Sequence, residues 1–71
     1  MREWKARPIA HKGGVYYDVA STARLLHTTA AKDRHLMGEG KLEWTQLRRG
    51  GKLVIRAENI VEYKRRLFAT H

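Results

Sequence analysis

The chain has 71 residues, no cysteine and a hydrophobic fraction of 42%, which predicts one small packed domain without disulfide bonds or thiolate metal sites. The longest apolar runs are three residues, as at residues 53–55, so the sequence predicts neither a membrane-spanning helix nor a secretory signal. Fifteen Lys and Arg residues outnumber seven Asp and Glu residues, giving a net charge of +8. This charge favours an anionic partner, most often nucleic acid, over a solvated surface without function.

The positive charge is concentrated in two segments. Residues 1–14 carry a net charge of +3 and residues 41–56 a net charge of +4, whereas residues 15–40 are neutral. The first segment contains the only proline and ends in Gly13-Gly14, which predicts a flexible basic arm rather than a packed element. Four cations of this arm are expected to add to DNA affinity: Arg2, Lys5, Arg7 and Lys12.

Two short helices are predicted after the arm. Asp18 is a favourable N-cap, and apolar residues at helical spacing predict a helix over residues 19–26. Thr29 is the predicted N-cap of a second helix over residues 30–38, and Gly40 suits the left-handed residue that follows its end. Two helices joined by about three residues form a helix-turn-helix.

A hairpin and a third helix follow. Residues 42–47 and 53–56 are predicted as strands, because the Gly50-Gly51 pair between them is typical of a hairpin turn. Three cations lie at this turn: Arg48, Arg49 and Lys52. They form either a solvated turn or a wing that binds phosphate, and the helix-turn-helix just upstream favours the wing. An apolar stripe predicts the last helix over residues 57–68.

The predicted fold is therefore an α+β winged helix-turn-helix over residues 15–71, in the order helix, helix, β-hairpin (wing), helix. Near the end of the last helix, the cluster Lys64-Arg65-Arg66 fits either helix capping or DNA contact. Trp44, Leu47 and Tyr63 are predicted to belong to the core rather than to a base-stacking surface, because a domain this small needs its large apolar side chains inside.

Three groups of residues follow a known pattern. They are Tyr16-Tyr17-Asp18-Val19 with Ala23-Arg24-Leu25-Leu26, then Thr29 with Arg34-His35-Leu36 and Glu39-Gly40-Lys41-Leu42, and finally Gly50-Gly51 with Ile55-Arg56 and Ile60-Val61-Glu62-Tyr63. This pattern, which covers residues 16–67, resembles the small winged-helix excisionases, a branch of the MerR-like DNA-binding domains. Trp44, and the spacing from Lys32 to Leu36, are especially similar to the excisionases of conjugative transposons.

Asp33 departs from the family pattern, which usually has a buried Val or Leu at this position. Burying a lone carboxylate costs several kcal/mol. We therefore expect either that Asp33 turns outward and pairs with Arg34 or Arg24, or that the second helix is rotated relative to the family. His27 also departs from the pattern, because it stands where the family has a turn glycine.

The resemblance implies a sequence-specific architectural protein that binds and bends double-stranded DNA at the end of a mobile element. It implies that the protein directs a tyrosine-family integrase toward excision and acts in the cytoplasm at the nucleoid, and it leaves head-to-tail self-association on DNA as an open alternative. The second helix would lie in the major groove and the wing along the backbone. The candidate DNA-binding residues are Thr29, Ala31, Lys32, Arg34 and His35 on the second helix, with Lys41, Arg48, Arg49, Lys52 and Arg56 after it.

Arg34 has two open interpretations. It either pairs with a guanine through two hydrogen bonds, or contacts phosphate or forms a salt bridge with Asp33. The first interpretation gives sequence specificity, whereas the second gives only position on the duplex.

Catalysis and metal binding find no support in the sequence. Nucleophilic catalysis needs a Ser or Cys paired with His, but there is no Cys and Ser21 lies in the first turn of a predicted helix. The four histidines lack the paired spacing of a zinc site, so no cofactor is expected. Three other functions stay open: a small prophage or plasmid transcription regulator with the same fold, a related terminase small-subunit domain, and a protein-interaction module whose basic face binds an acidic protein.

Overall fold

The computed structural model describes the backbone of residues 5–69 and the side chains of residues 5–67, so Arg2 of the predicted arm lies outside the described residues. A four-stranded antiparallel sheet in the order β1-β2-β4-β3 packs against α1 and α3, and α2 packs against α1. The elements in chain order are β1 (Ile9–His11), β2 (Gly14–Asp18), α1 (Val19–Leu25), α2 (Ala30–Gly38), β3 (Thr45–Gln46), β4 (Leu53–Arg56) and α3 (Ala57–Ala69).

A β-hairpin precedes the first helix. Its strands β1 and β2 pair Ile9 with Tyr16 and His11 with Gly14. Lys12 and Gly13 form the turn with φ angles of 46° and 81°, and positive φ at both central residues is the geometry of a type I′ turn. Strand β2 then pairs with β4, so this hairpin is an integral part of the sheet.

The predicted order helix, helix, β-hairpin, helix is wrong. The chain is a small α+β domain in which a β-hairpin comes first, followed by two helices, two strands and a helix. The error arose at Gly13-Gly14, which looked like the end of a flexible arm but lies at the turn and at the start of β2. The β-prone residues Val15, Tyr16 and Tyr17 follow at once, and they pair with β1 and β4.

The first two helices have the predicted caps. Asp18 Oδ1 accepts a hydrogen bond from the backbone N–H of Ser21 at 2.7 Å, and Thr29 Oγ1 accepts one from Lys32 at 3.2 Å. Helix α2 ends in a Schellman motif, in which the N–H of Lys41 donates to the carbonyl of Leu36 at 2.9 Å and Gly40 has a φ of 75°. The bounds predicted for α2 are confirmed, and α1 ends one residue earlier than predicted.

The second hairpin is shorter than predicted. Strand β3 consists of Thr45 and Gln46 only, paired with Val54 and Leu53 of β4. Leu42, predicted to start this strand, instead lies in the core at 1% exposure. The loop before β4 is closed by a hydrogen bond from the N–H of Gly51 to the carbonyl of Arg48 and by one from Gln46 Nε2 to the carbonyl of Gly51.

The core lies between the helices and one face of the sheet. It consists of Leu36, Met37, Leu42, Ile55 and Ile60. Tyr17 is paired with Ile55 and also packs on this core, so the alternate residues Tyr16 and Arg56 lie on the opposite face of the sheet. Among the described residues, no helix combines the length and apolar character needed to cross a bilayer.

Candidate nucleic-acid interface

Two open grooves meet at Lys52. The first, here called the helix groove, lies between Arg34 of α2, Val19 at the start of α1, and Lys52 with Leu53 at the start of β4. The second, the hairpin groove, lies between β1 and the loop before β4. Its walls and floor are formed by Ile9, His11, Leu47, Arg48, Gly51, Lys52 and Val54. Lys52 lines both grooves, so the predicted helix site and the predicted turn site adjoin at this residue.

The cations of this surface are exposed, and the carboxylate that lines the helix groove is the N-cap of α1. Within the described part of the chain, no carboxylate lies within ion-pair distance of Arg34, Arg48, Arg49 or Lys52. Asp18 also lines the helix groove, where its Oδ1 accepts the capping hydrogen bond from Ser21, and its one negative charge is outnumbered by Arg34 and Lys52. The surface therefore presents positive charge that an external anion can neutralise.

The loop that carries Arg48 has a defined local geometry. A Cβ added to Gly51 would lie 2.9 Å from Cγ of Arg48 and 3.1 Å from the Arg48 carbonyl oxygen, so the stem of Arg48 packs directly on Gly51. Gly50 adopts a φ of 74°, which completes the reversal of the chain. The two glycines thus hold Arg48 at the edge of the hairpin groove rather than simply loosening the loop.

The other predicted residues of α2 do not join this surface. Thr29 caps the helix, and Lys32 lines a separate groove with Leu36 and Tyr63. His35 Nε2 lies 3.3 Å from Oε1 of Glu39. Ala31 is exposed on the helix surface. Arg34 therefore lines a groove with Lys52, whereas Lys32 lines another groove, and Ala31 shares the helix face of Arg34 without lining either groove.

Lys41 and Arg56 have partners of their own. Lys41 Nζ lies 3.9 Å from Oε2 of Glu39 and lines a groove that also contains Glu43 and Glu62. Arg56 Nε lies 3.3 Å from Oε2 of Glu58, and its guanidinium lies over the Tyr16 ring at 5.8 Å from the centroid. These contacts place both cations in mixed-charge surroundings, outside the surface centred on Lys52.

The cation cluster at the end of α3 is partly neutralised within its own helix. Arg65 Nη1 lies 3.9 Å and Arg66 Nε 3.6 Å from the carboxylate oxygens of Glu62. These pairs, three and four residues apart, are exposed helix-surface contacts. They are ion pairs within α3 and not the helix capping that was predicted as the alternative to DNA contact, so both of those interpretations stay predictions.

Asp33 is fully buried, so the predicted outward pairing with Arg34 or Arg24 is wrong. Neither carboxylate oxygen has a hydrogen-bond partner among the described residues, and the same holds for the buried hydroxyl of Thr22 on α1. Burial raises the pKa of Asp33 to about 6 because desolvation penalises its charged form. Arg34 is consequently not paired with Asp33, and it lines the helix groove instead.

Sequence reasoning missed His11, which lines the hairpin groove opposite the loop. The alternating Val15 and Tyr17 after a Lys-Gly pair could have indicated a hairpin, and with it the position of His11. The core prediction is wrong for Trp44, which is 48% exposed, and confirmed for Tyr63, which packs on the core. Within the described range, no group of three or more His, Asp and Glu residues could hold a metal ion.

Comparison with protein-family models, with curated proteins and with solved structures finds no match to this chain. The resemblance to the excisionases thus rests on the residues quoted from the sequence.

Proposed function

We propose that this protein binds double-stranded DNA through the surface that runs from Arg34 across Lys52 to Arg48. The observation that supports the proposal is the sharing of Lys52 between the helix groove and the hairpin groove. In many complexes with duplex DNA, a helix enters the major groove while a neighbouring loop contacts the backbone. The cations of α2 and of the loop, which adjoin at Lys52, fit this arrangement.

The local geometry supports a division of roles within this surface. Arg34 lies on the exposed side of α2, three residues after Ala31, so both occupy the same helix face. A small residue beside an arginine permits close approach of the helix to base edges. Arg48 and Lys52 lie off the helix and are suited to phosphate contacts, which position the protein without reading sequence.

A salt titration tests the proposal. Binding of the full chain to a labelled duplex should weaken log-linearly with salt, with a slope of about −3 for phosphate contacts from Arg48, Arg49 and Lys52 at roughly 0.9 each. Binding should persist on unrelated duplexes with reduced affinity. Negligible DNA affinity at about 150 mM salt would reject DNA binding and favour the acidic protein partner instead.

The excisionase-like role is the specific form of this proposal. In that role the protein binds and bends repeats at the end of a mobile element, beside a tyrosine-family integrase. Since single modules bury only about 600–1,000 Å², full occupancy of an element end needs several copies on adjacent repeats. Gel shifts on duplexes with one, two and three repeats should show steeper-than-additive occupancy and growing retardation from bending. Independent binding without a bend, with repression from a single operator, would favour the transcription regulator.

A further inference from the structure

The hairpin groove has the chemistry of a site for one strand of DNA backbone. Its floor is apolar, with Ile9 from β1, Leu47 from the loop and Val54 from β4. Its edges carry Arg48 and Lys52, and none of the described residues that line it is acidic. The groove is open to solvent and measures about 350 Å³.

His11 forms the wall of this groove that faces the loop. Cross-strand pairing with Gly14 fixes its place beside the tip of the first hairpin, and its alternation with Ile9 puts both side chains on the groove side of β1. An imidazole offers an N–H donor in its neutral form and two donors when protonated, so it can hydrogen-bond a phosphate oxygen in either form.

Lys12, the next residue, occupies a backbone position that disfavours it. Its φ of 46° is in the left-handed region, where Gly, Asn or Asp are the favoured residues of a type I′ turn. The side chain is exposed, so packing does not explain the choice of lysine. Residues in strained backbone positions concentrate at functional sites.

We propose that the tip of the first hairpin, His11 with Lys12, is a preformed second phosphate-binding wall, and that it clamps one sugar–phosphate strand of the bound duplex against Arg48 and Lys52. The inference rests on the proposed DNA binding and extends it from the helix and loop to the first hairpin. In this arrangement the Lys12 ammonium group and the His11 imidazole are the donors, and the folded hairpin fixes the backbone positions from which they extend.

Lys12→Asn tests the clamp because it changes stability and affinity in opposite directions. Asparagine suits the type I′ turn, so the variant should melt at the same or a higher temperature than the wild type. Its DNA affinity should nevertheless fall about 3- to 10-fold, and its salt slope should become shallower by about 0.9. Arg65→Gln, which removes one charge from α3, is the matched control and should change the slope by less than half as much.

His11→Thr completes the test, since threonine keeps the strand propensity of β1. It should weaken binding about 3- to 10-fold, and in a double-mutant cycle with Arg48→Ala the two losses should be non-additive if both residues hold the same strand. Unchanged affinity and slope in Lys12→Asn and His11→Thr, while Arg48→Ala weakens binding, would overturn the clamp alone. Absence of DNA binding by the wild type would overturn the proposed function itself.

Discussion

The chain contains two adjacent arginine pairs, Arg48-Arg49 in the loop before β4 and Arg65-Arg66 in α3, and their surroundings differ. In α3 both arginines lie within 4 Å of Glu62 carboxylate oxygens, at 3.9 and 3.6 Å. In the loop, neither arginine has a carboxylate within that distance among the described residues, and Arg48 lies at the edge of a groove shared with Lys52.

This difference teaches that the number of cations does not by itself locate a nucleic-acid interface. Both pairs add two charges to a total of +8, so a count of charges does not distinguish them. What separates them is the distance to the nearest carboxylate and the charge of the neighbouring groove: Arg66 lines a groove with Glu43 and Glu62, whereas no described residue of the hairpin groove is acidic. A phosphate that binds the loop pair displaces only water and counterions. A phosphate that binds the α3 pair also competes with the Glu62 carboxylate.

The largest effect is expected from removing the loop pair. Arg48→Ala with Arg49→Ala should reduce DNA affinity roughly 10- to 100-fold and make the salt slope shallower by about 2. Two contacts to phosphate are lost, and both residues are exposed, so the free energy of unfolding should change by less than about 0.5 kcal/mol. Fluorescence anisotropy across a salt series gives the slope, and thermal melting gives the stability.

Arg65→Ala with Arg66→Ala is the control for that experiment, because it removes the same charge from α3. Its salt slope should change by well under 1. Equal losses in the two double variants would mean that net charge, rather than the surface at Lys52, governs binding. The distinction between the two pairs would then fail.

A second large effect concerns Asp33, which precedes Arg34 in the sequence but does not pair with its side chain. Asp33 is fully buried, has no hydrogen-bond partner among the residues that the structure describes, and has a pKa raised to about 6. The folded protein therefore binds this proton more tightly than the unfolded chain does, so Asp33 lowers stability above pH 6 and this penalty disappears as the pH falls from 6 toward 3.8. Asp33→Asn should raise the free energy of unfolding at pH 7 by about 1–3 kcal/mol.

The stability gain from Asp33→Asn should shrink as the pH falls below 6, and DNA affinity at pH 7 should stay within about twofold of wild type. Denaturant unfolding at several pH values measures the first, and anisotropy the second. A loss of DNA affinity in a well-folded Asp33→Asn variant would show that Asp33 does position Arg34, contrary to its burial.

Arg34 tests whether the helix groove reads sequence. Arg34→Ala should lower the preference for a selected site over random DNA about 10-fold, since a bidentate contact to guanine contributes roughly 1–3 kcal/mol of discrimination. Affinity for random DNA should fall less. Competition binding with the two duplexes measures the ratio, and equal losses on both would assign Arg34 to phosphate, like the loop pair.

The helices were the predictable part of the fold. Local signals set their bounds: Asp18 and Thr29 as caps, and Gly40 after α2. The first hairpin was not predicted, because β1 is only three residues long and Gly13-Gly14 was interpreted as the end of an arm. Strand β2 also pairs with β4, about forty residues later in the chain. Pairing between strands so far apart leaves little trace in any local sequence window.

The candidate site was predictable only by residue type. Charge was the reason for selecting Arg34, Arg48 and Lys52. In the fold, Lys52 lines one groove with Arg34 and a second groove with Arg48. The same reasoning selected four other residues that lie elsewhere. Lys32 lines another groove, His35 and Lys41 lie beside Glu39, and Arg56 lies beside Glu58. Ion pairing and groove sharing depend on side-chain positions that charge counting does not contain.

The smallest effect is the most direct test of why the two arginine pairs differ. Glu62→Gln removes the carboxylate that both Arg65 and Arg66 contact and raises the net charge from +8 to +9. Exposed ion pairs contribute little, so the free energy of unfolding should change by less than about 0.5 kcal/mol. If position relative to the grooves is decisive, the released arginines stay away from the duplex, and the salt slope should steepen by less than about 0.5. If carboxylate pairing alone silences them, the slope should steepen by nearly 2, and the α3 pair would equal the loop pair as a phosphate contact.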